Sequence, residues 1–184
     1  MNCIRCGKEV ETVLEQEKLC KPCFLENIEH RTKKTVKQFS LTKGNKILIL
    51  DDASKEAVVS DYLFRKITTQ IPLTIETKKK DSINLEKEQK SYTAIVVPWD
   101  LDDETASFID TMINNKNIEP TKTIKLLQNI YDREARIYAD LNNFTYTEHE
   151  KTKVHKALET MEQGHPGIQI SMLNAIKKFK DHKT

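Results

Sequence analysis

Residues 46–56 read Lys46-Ile47-Leu48-Ile49-Leu50-Asp51-Asp52-Ala53-Ser54-Lys55-Glu56. An unbroken apolar run closed by two carboxylates predicts a strand buried on both faces, as in a parallel sheet. A helix is expected over 54–67, where Val59, Leu63 and Ile67 recur four apart. Residues 71–76 read as a second strand and 92–97 as a third, stopped by Pro98, with the charged stretch 78–90 as a loop between them. Helices are expected over 102–114, 129–141, 148–163 and 168–180, with a fourth strand at 123–127 and a short fifth at 144–147. Gly164-His165-Pro166-Gly167 separates the last two helices. This alternation predicts an α/β fold with a doubly wound, mostly parallel sheet.

The strand-to-helix turn at 51–56 is where such a sheet would bind a ligand. A phosphate loop there needs glycines, so that backbone N–H groups can approach the anion. This turn has none, and Asp51 and Asp52 would repel phosphate. Ser54 and Lys55 are the residues left to reach an anion. Asp51 and Asp52 read equally well as helix caps, as does the acidic cluster at 100–104 after the third strand.

Upstream, all four cysteines of the 184-residue chain fall within its first 23 residues, as Cys3-Ile4-Arg5-Cys6 and Cys20-Lys21-Pro22-Cys23. Two C-x2-C knuckles with thirteen residues between them can set four thiolates around one ion. The favoured reading is a structural zinc ion held by Cys3, Cys6, Cys20 and Cys23. An iron–sulfur cluster and a redox pair are the alternatives. Such a short segment cannot bury a core, so metal binding should supply most of its folding free energy. The expected organisation is a zinc module at 1–23, a basic linker helix at 24–44 and the α/β domain at 45–184.

The net charge is +2, unevenly placed: residues 1–44 carry nine Lys/Arg against six Asp/Glu, and the last fourteen carry four Lys against one Asp. Both ends can meet an anionic partner such as RNA. The plain alternative is a chain rich in charge with solvated helix faces. No run approaches the roughly 18 apolar residues of a membrane span, and no apolar leader opens the chain, so the expected compartment is the cytoplasm, with no membrane partner.

These pieces, in order, resemble the family of tRNA thiolation proteins related to the PP-loop ATP pyrophosphatases. The likeness runs through the knuckles with Phe24 after the second, the basic helix from Glu29-His30-Arg31 to Lys37, the strand at 46–50 and Leu101-Asp102-Asp103-Glu104 with Phe108. It continues through Glu134, Ile137, Tyr138 and Ala139 to Glu162-Gln163-Gly164-His165-Pro166-Gly167. The resemblance implies a PP-loop, adenine-nucleotide-alpha-hydrolase-like domain. Active members carry Ser-Gly-Gly-x-Asp-Ser after the first strand, where this chain has Asp52-Ala53-Ser54-Lys55-Glu56-Ala57. They also carry a long middle segment with C-x-x-C and a late cysteine, whereas no cysteine follows Cys23 here. Sulfur transfer needs a thiolate or a cluster, and uridine activation needs a triphosphate site.

The resemblance with these departures therefore implies a non-catalytic subunit of a complex forming 2-thiouridine at the tRNA wobble position. Its expected partners are a catalytic homologue, in a heterodimer or heterotetramer, and tRNA. Neither ATP nor an iron–sulfur cluster is expected on this chain. Asp51, Asp52, Ser54 and Lys55 become degenerate nucleotide-loop positions. Phosphate contacts are assigned to Arg31, Lys33, Lys34 and Lys37, and to Lys177, Lys178 and Lys180. Two other readings stand beside it: an active nucleotide-dependent tRNA-modifying enzyme with a divergent loop, and a zinc-ribbon adaptor unrelated to tRNA.

Overall fold

The structure, a computed structural model, describes residues 2–9, 18–114 and 123–181, with the side chains of Lys180 and Asp181 outside the description. In chain order the elements are α1 (Lys21–Lys37), β1 (Lys46–Asp51), α2 (Lys55–Thr68), β2 (Thr74–Lys79), α3 (Leu85–Ser91) and β3 (Ala94–Asp100). They continue with α4 (Leu101–Ile113), β4 (Thr123–Leu127), α5 (Asp132–Leu141), α6 (Lys153–Gly164) and α7 (Ile168–Asp181). The four strands lie in the order β2-β1-β3-β4, all parallel. Chain direction across the sheet therefore reverses between β1 and β3, which makes the sheet doubly wound.

The apolar run of β1 is buried on both faces, as its composition requires. Ile47 and Ile49 join the larger core with Val59, Leu63, Val96 and Ile124. Leu48 and Leu50 point the other way, onto Ile95 and Tyr92. The larger core runs without a break into the cysteine module, because Cys3, Cys20 and Cys23 pack with Phe24 and Ile28 of α1. The second knuckle and α1 overlap: the helix begins at Lys21, with Cys20 as its N-cap and Pro22 in its first turn.

Several local expectations are corrected. Residues 85–91 form a helix rather than part of a loop, because Asn84 accepts a hydrogen bond from the Lys87 N–H and caps a run of good helix formers. The second strand sits later than expected, at Thr74–Lys79. Pro98 does not stop β3, since the ladder to β4 shifts register between Val97 and Asp100 and the ring sits in that irregularity. Residues 144–147 supply a single parallel bridge, Ser54 to Thr147, rather than a strand. The helices expected from 129 and 148 start at Asp132 and Lys153. Among the described residues, no helix is long and apolar enough to cross a membrane.

Two ion pairs tie α1 to the sheet domain, Glu29 with Lys66 of α2 at 2.7 Å and a more buried one at Arg31. Arg31 forks onto Glu134 of α5, Nη1 to Oε1 at 2.5 Å and Nη2 to Oε2 at 2.9 Å, and also donates to the Asn129 carbonyl. The Glu134 side chain is 4% exposed and also takes the Tyr131 N–H. Truncating one partner of such a pair strands the other charge. Glu134→Ala should therefore lower unfolding free energy by about 3 kcal/mol in urea titration. A loss under about 1 kcal/mol would mean that the fork contributes no more than an exposed pair.

Candidate functional site

The turn between β1 and α2 is closed by its own side chains. Asp51 Oδ1 accepts the Ala53 N–H at 2.8 Å and Asp52 Oδ1 the Ser54 N–H at 3.2 Å. Ala53 takes φ of 62°, left-handed backbone that a non-glycine residue adopts at a cost. Ser54 Oγ caps α2 by accepting the Ala57 N–H at 3.1 Å, and the Ala53 carbonyl accepts the Thr147 N–H.

Lys55 then turns inward and is 5% exposed. Its ammonium lies 2.8 Å from Glu56, 2.7 Å from Asp132 at the start of α5 and 3.7 Å from Glu148. Burial works against the charge, but Glu56 and Asp132 outweigh it and raise the pKa above the ordinary lysine range. Asp132 takes a second ammonium, Lys151 at 3.0 Å, and these contacts hold its pKa down against burial.

The C-terminal end of β3 adds Asp100, buried against Glu56 and Asp132, so that oxygens of the three carboxyls lie within 4.8 Å of one another. Asp100 Oδ1 caps α4 through the Asp103 N–H at 2.9 Å. Burial, then the charges of Asp103, Asp102 and Glu56, push its pKa well up. Ionisation of Asp100 is thus disfavoured beside this ion pair. The cleft between β1 and β3 is about 150 Å³ and its walls include Asp52, Lys80, Trp99 and His155. Its cations are already bonded within the protein: Lys80 to Asp52 at 3.3 Å, Lys55 and Lys151 as above.

The residues around the cleft act as ties between elements. Asp102 Oδ2 accepts the Asp132 N–H at 3.0 Å. Glu104 accepts from Trp99 Nε1 at 2.9 Å and Lys125 Nζ at 2.6 Å. Glu162 takes the Gly167 N–H at 2.6 Å, the Gln169 N–H at 3.1 Å and the Tyr131 hydroxyl at 3.1 Å, which fixes the turn into α7.

Of the residues predicted from sequence, Asp51, Asp52, Ser54 and Lys55 do stand at the switch point. The structure adds Glu56, Asp100, Asp132, Glu148 and Lys151. Asp132 and Glu148 come from distant segments, and nothing near 51–56 in the sequence signals them. Asp100 had a signal, the acidic cluster after the third strand. Lys33, Lys34, Lys37 and Lys178 are exposed, whereas Arg31 and Lys177 are half-buried and bonded inside the fold. The Lys180 side chain lies outside the described residues.

At the other end of the larger core, the four cysteine sulfurs lie within 4.8 Å of one another, Cys6 and Cys20 at 3.5 Å. Gly7 takes φ of 74° and donates its N–H to the Cys3 carbonyl, making the turn after the first knuckle. The backbone N–H of Cys20 helps bring Cys3 down to about 6, while the Cys20 side chain and burial push Cys23 up to about 12. Four thiolates this close need a cation among them, and the set can hold a metal ion.

His155 bridges Thr152 and Asp103, Nδ1 at 2.7 Å from Oγ1 and Nε2 at 3.2 Å from Oδ1, tying α6 to the first turn of α4. The bond to Asp103 raises its pKa against burial. A raised histidine pKa contributes stability that is full below the unfolded value of about 6.5 and is lost as pH rises through the folded value. His155→Gln should therefore lower Tm more near pH 6 than near pH 9. An equal loss at both ends would show that the bridge does not depend on the imidazolium.

No family model matches the sequence. No curated protein matches it. Among solved structures the chain is similar to the U34-tRNA thiolase NcsA from Methanococcus maripaludis with its [4Fe-4S] cluster, at TM-score 0.79 and 16% identity over 99% of this chain and 88% of that one. At that identity the likeness is one of fold: a parallel, doubly wound α/β sheet.

Proposed function

We propose that this chain is a non-catalytic subunit of a tRNA wobble-uridine thiolation complex, supporting a catalytic homologue and contributing to tRNA binding. The observation that carries the reading is the seat of Lys55. At the switch point, where a doubly wound sheet receives its ligand, this protein has an internal ammonium neutralised by Glu56 and Asp132. A nucleotide phosphate brought there would meet Asp52, Glu56, Asp100 and Asp132, with no glycine-lined loop to receive it. Uridine activation at this site therefore lacks its phosphate cradle. Sulfur carriage lacks its thiolate, because every cysteine belongs to the N-terminal set.

In this reading the four cysteines hold one structural zinc ion. Zinc–thiolate bonds of about 2.3 Å in a tetrahedron separate the sulfurs by about 3.8 Å, in keeping with a set whose members all lie within 4.8 Å. The ion closes the end of α1, because Cys20 and Cys23 lie at its first turn. Exposed Lys33, Lys34 and Lys37 on the same helix then face solvent as phosphate contacts.

Deleting the gene and quantifying nucleosides of bulk tRNA by mass spectrometry tests the function. Loss of 2-thiouridine, restored by the intact gene, is the expected result. An unchanged level would overturn the thiolation role. Titration of the purified chain with Mg-ATP should give no heat, and a saturable isotherm would return the active-enzyme reading. Metal analysis should find one zinc per chain. Its removal by a chelator should expose Phe24 and lower Tm, and an unaltered melting curve would argue against a structural ion.

A further inference from the structure

The two longest stretches of the chain without Asp or Glu are residues 30–50, with Arg31, Lys33, Lys34, Lys37, Lys43 and Lys46, and residues 163–180, with Lys177, Lys178 and Lys180. They lie at opposite ends of the sequence, yet they meet at Asn129 in the turn after β4. The Asn129 carbonyl accepts from Arg31, its Nδ2 donates to Thr35 Oγ1 at 3.3 Å, and its Oδ1 accepts from Lys177 at 3.0 Å. One side chain and one carbonyl thus join α1 to α7. The β4 strand and the turn that brings them together, residues 123–131, also hold no acid. Glu134, which meets this junction through Arg31, is neutralised by the Arg31 fork.

From this junction we infer that α1 and α7 form one composite basic surface, fitted to the phosphodiester backbone of RNA. The inference rests on the reading that the chain contacts tRNA, and it deepens that reading by joining two separate basic segments into one site. Lys34 precedes Thr35, Lys178 follows Lys177, and both are exposed. Arg31 and Lys177 hold the two helices together, while Lys34 and Lys178 face the ligand from either side of the joint. An extended polyanion suits cations presented on two rigid helices, and each phosphate neutralised releases counterions. A membrane suits the surface less well. Among the described residues, the exposed large apolar side chains are Ile4, Tyr62, Leu85, Met112, Ile113 and Met161, none of them in either acid-free stretch.

Fluorescence anisotropy of the full, zinc-loaded chain with bulk tRNA, between about 50 and 200 mM KCl, tests this surface. Lys34→Glu and Lys178→Glu should each weaken binding and flatten the plot of log affinity against log salt by about 1, and the double variant by about 2. Lys87→Glu, on the exposed side of α3, should leave affinity and slope as in the native chain. Should Lys178→Glu behave like Lys87→Glu while Lys34→Glu weakens binding, the site is confined to α1 and the composite surface is overturned, with tRNA binding intact. Absence of tRNA binding, or binding insensitive to both reversals, also overturns the surface, while the nucleoside measurement decides the thiolation role separately. Sensitivity to both reversals on vesicles of anionic phospholipid, without tRNA binding, would assign the surface to a membrane instead.

Discussion

The ammonium of Lys55, held among Glu56, Asp132 and Glu148, is the contact on which the carboxyl edge of the sheet depends. A buried charge is tolerated only when it is paired and hydrogen-bonded. Three buried carboxyls crowd this point: Glu56 and Asp132 share Lys55, and Asp132 also takes Lys151. The third, Asp100, has its pKa pushed up by burial and by the neighbouring acids. Without Lys55, the buried carboxylate of Glu56 would lose its ammonium and face Asp132 across α2 and α5. The cation therefore acts as an internal counterion, and it stands where related folds receive a ligand from outside.

Three glutamates at element boundaries serve as ties in this chain. Glu134 anchors α1 through Arg31, Glu104 joins β3 to β4 through Trp99 and Lys125, and Glu162 collects the N–H groups that start α7. Each tie links elements that an amphipathic pattern alone would only stack. The cysteine module belongs to the same scaffold, since its sulfurs border the core that Phe24 and Ile28 extend into the sheet domain.

How much was legible in the sequence follows from the range of each interaction. The apolar run at 46–50, the four-residue spacing of Val59, Leu63 and Ile67 and the paired knuckles are local patterns. Backbone geometry and metal-ligand spacing turn them directly into a strand, a helix and a metal site. The short helix at 85–91 was misread because its charges masked good helix propensity, although Asn84 supplies an ordinary cap. The continuation of β3 past Pro98 depends on a register shift against β4, which belongs to the pair of strands and to neither strand alone.

The sequence by itself determined four strands and the longer helices between them, the grouping of the four cysteines and the absence of glycine from the switch-point turn. These depend on residue type and on spacings of a few positions. Only the tertiary structure decided that Lys55 points inward to Asp132, that Asp100 is buried beside Glu56 and Asp132, and that Arg31 belongs to Glu134 rather than to solvent. It also decided that the two longest acid-free stretches of the chain meet at Asn129. Charges pair with whatever neighbours the sheet order brings within a few ångströms, and that order is set by burial summed over the whole chain.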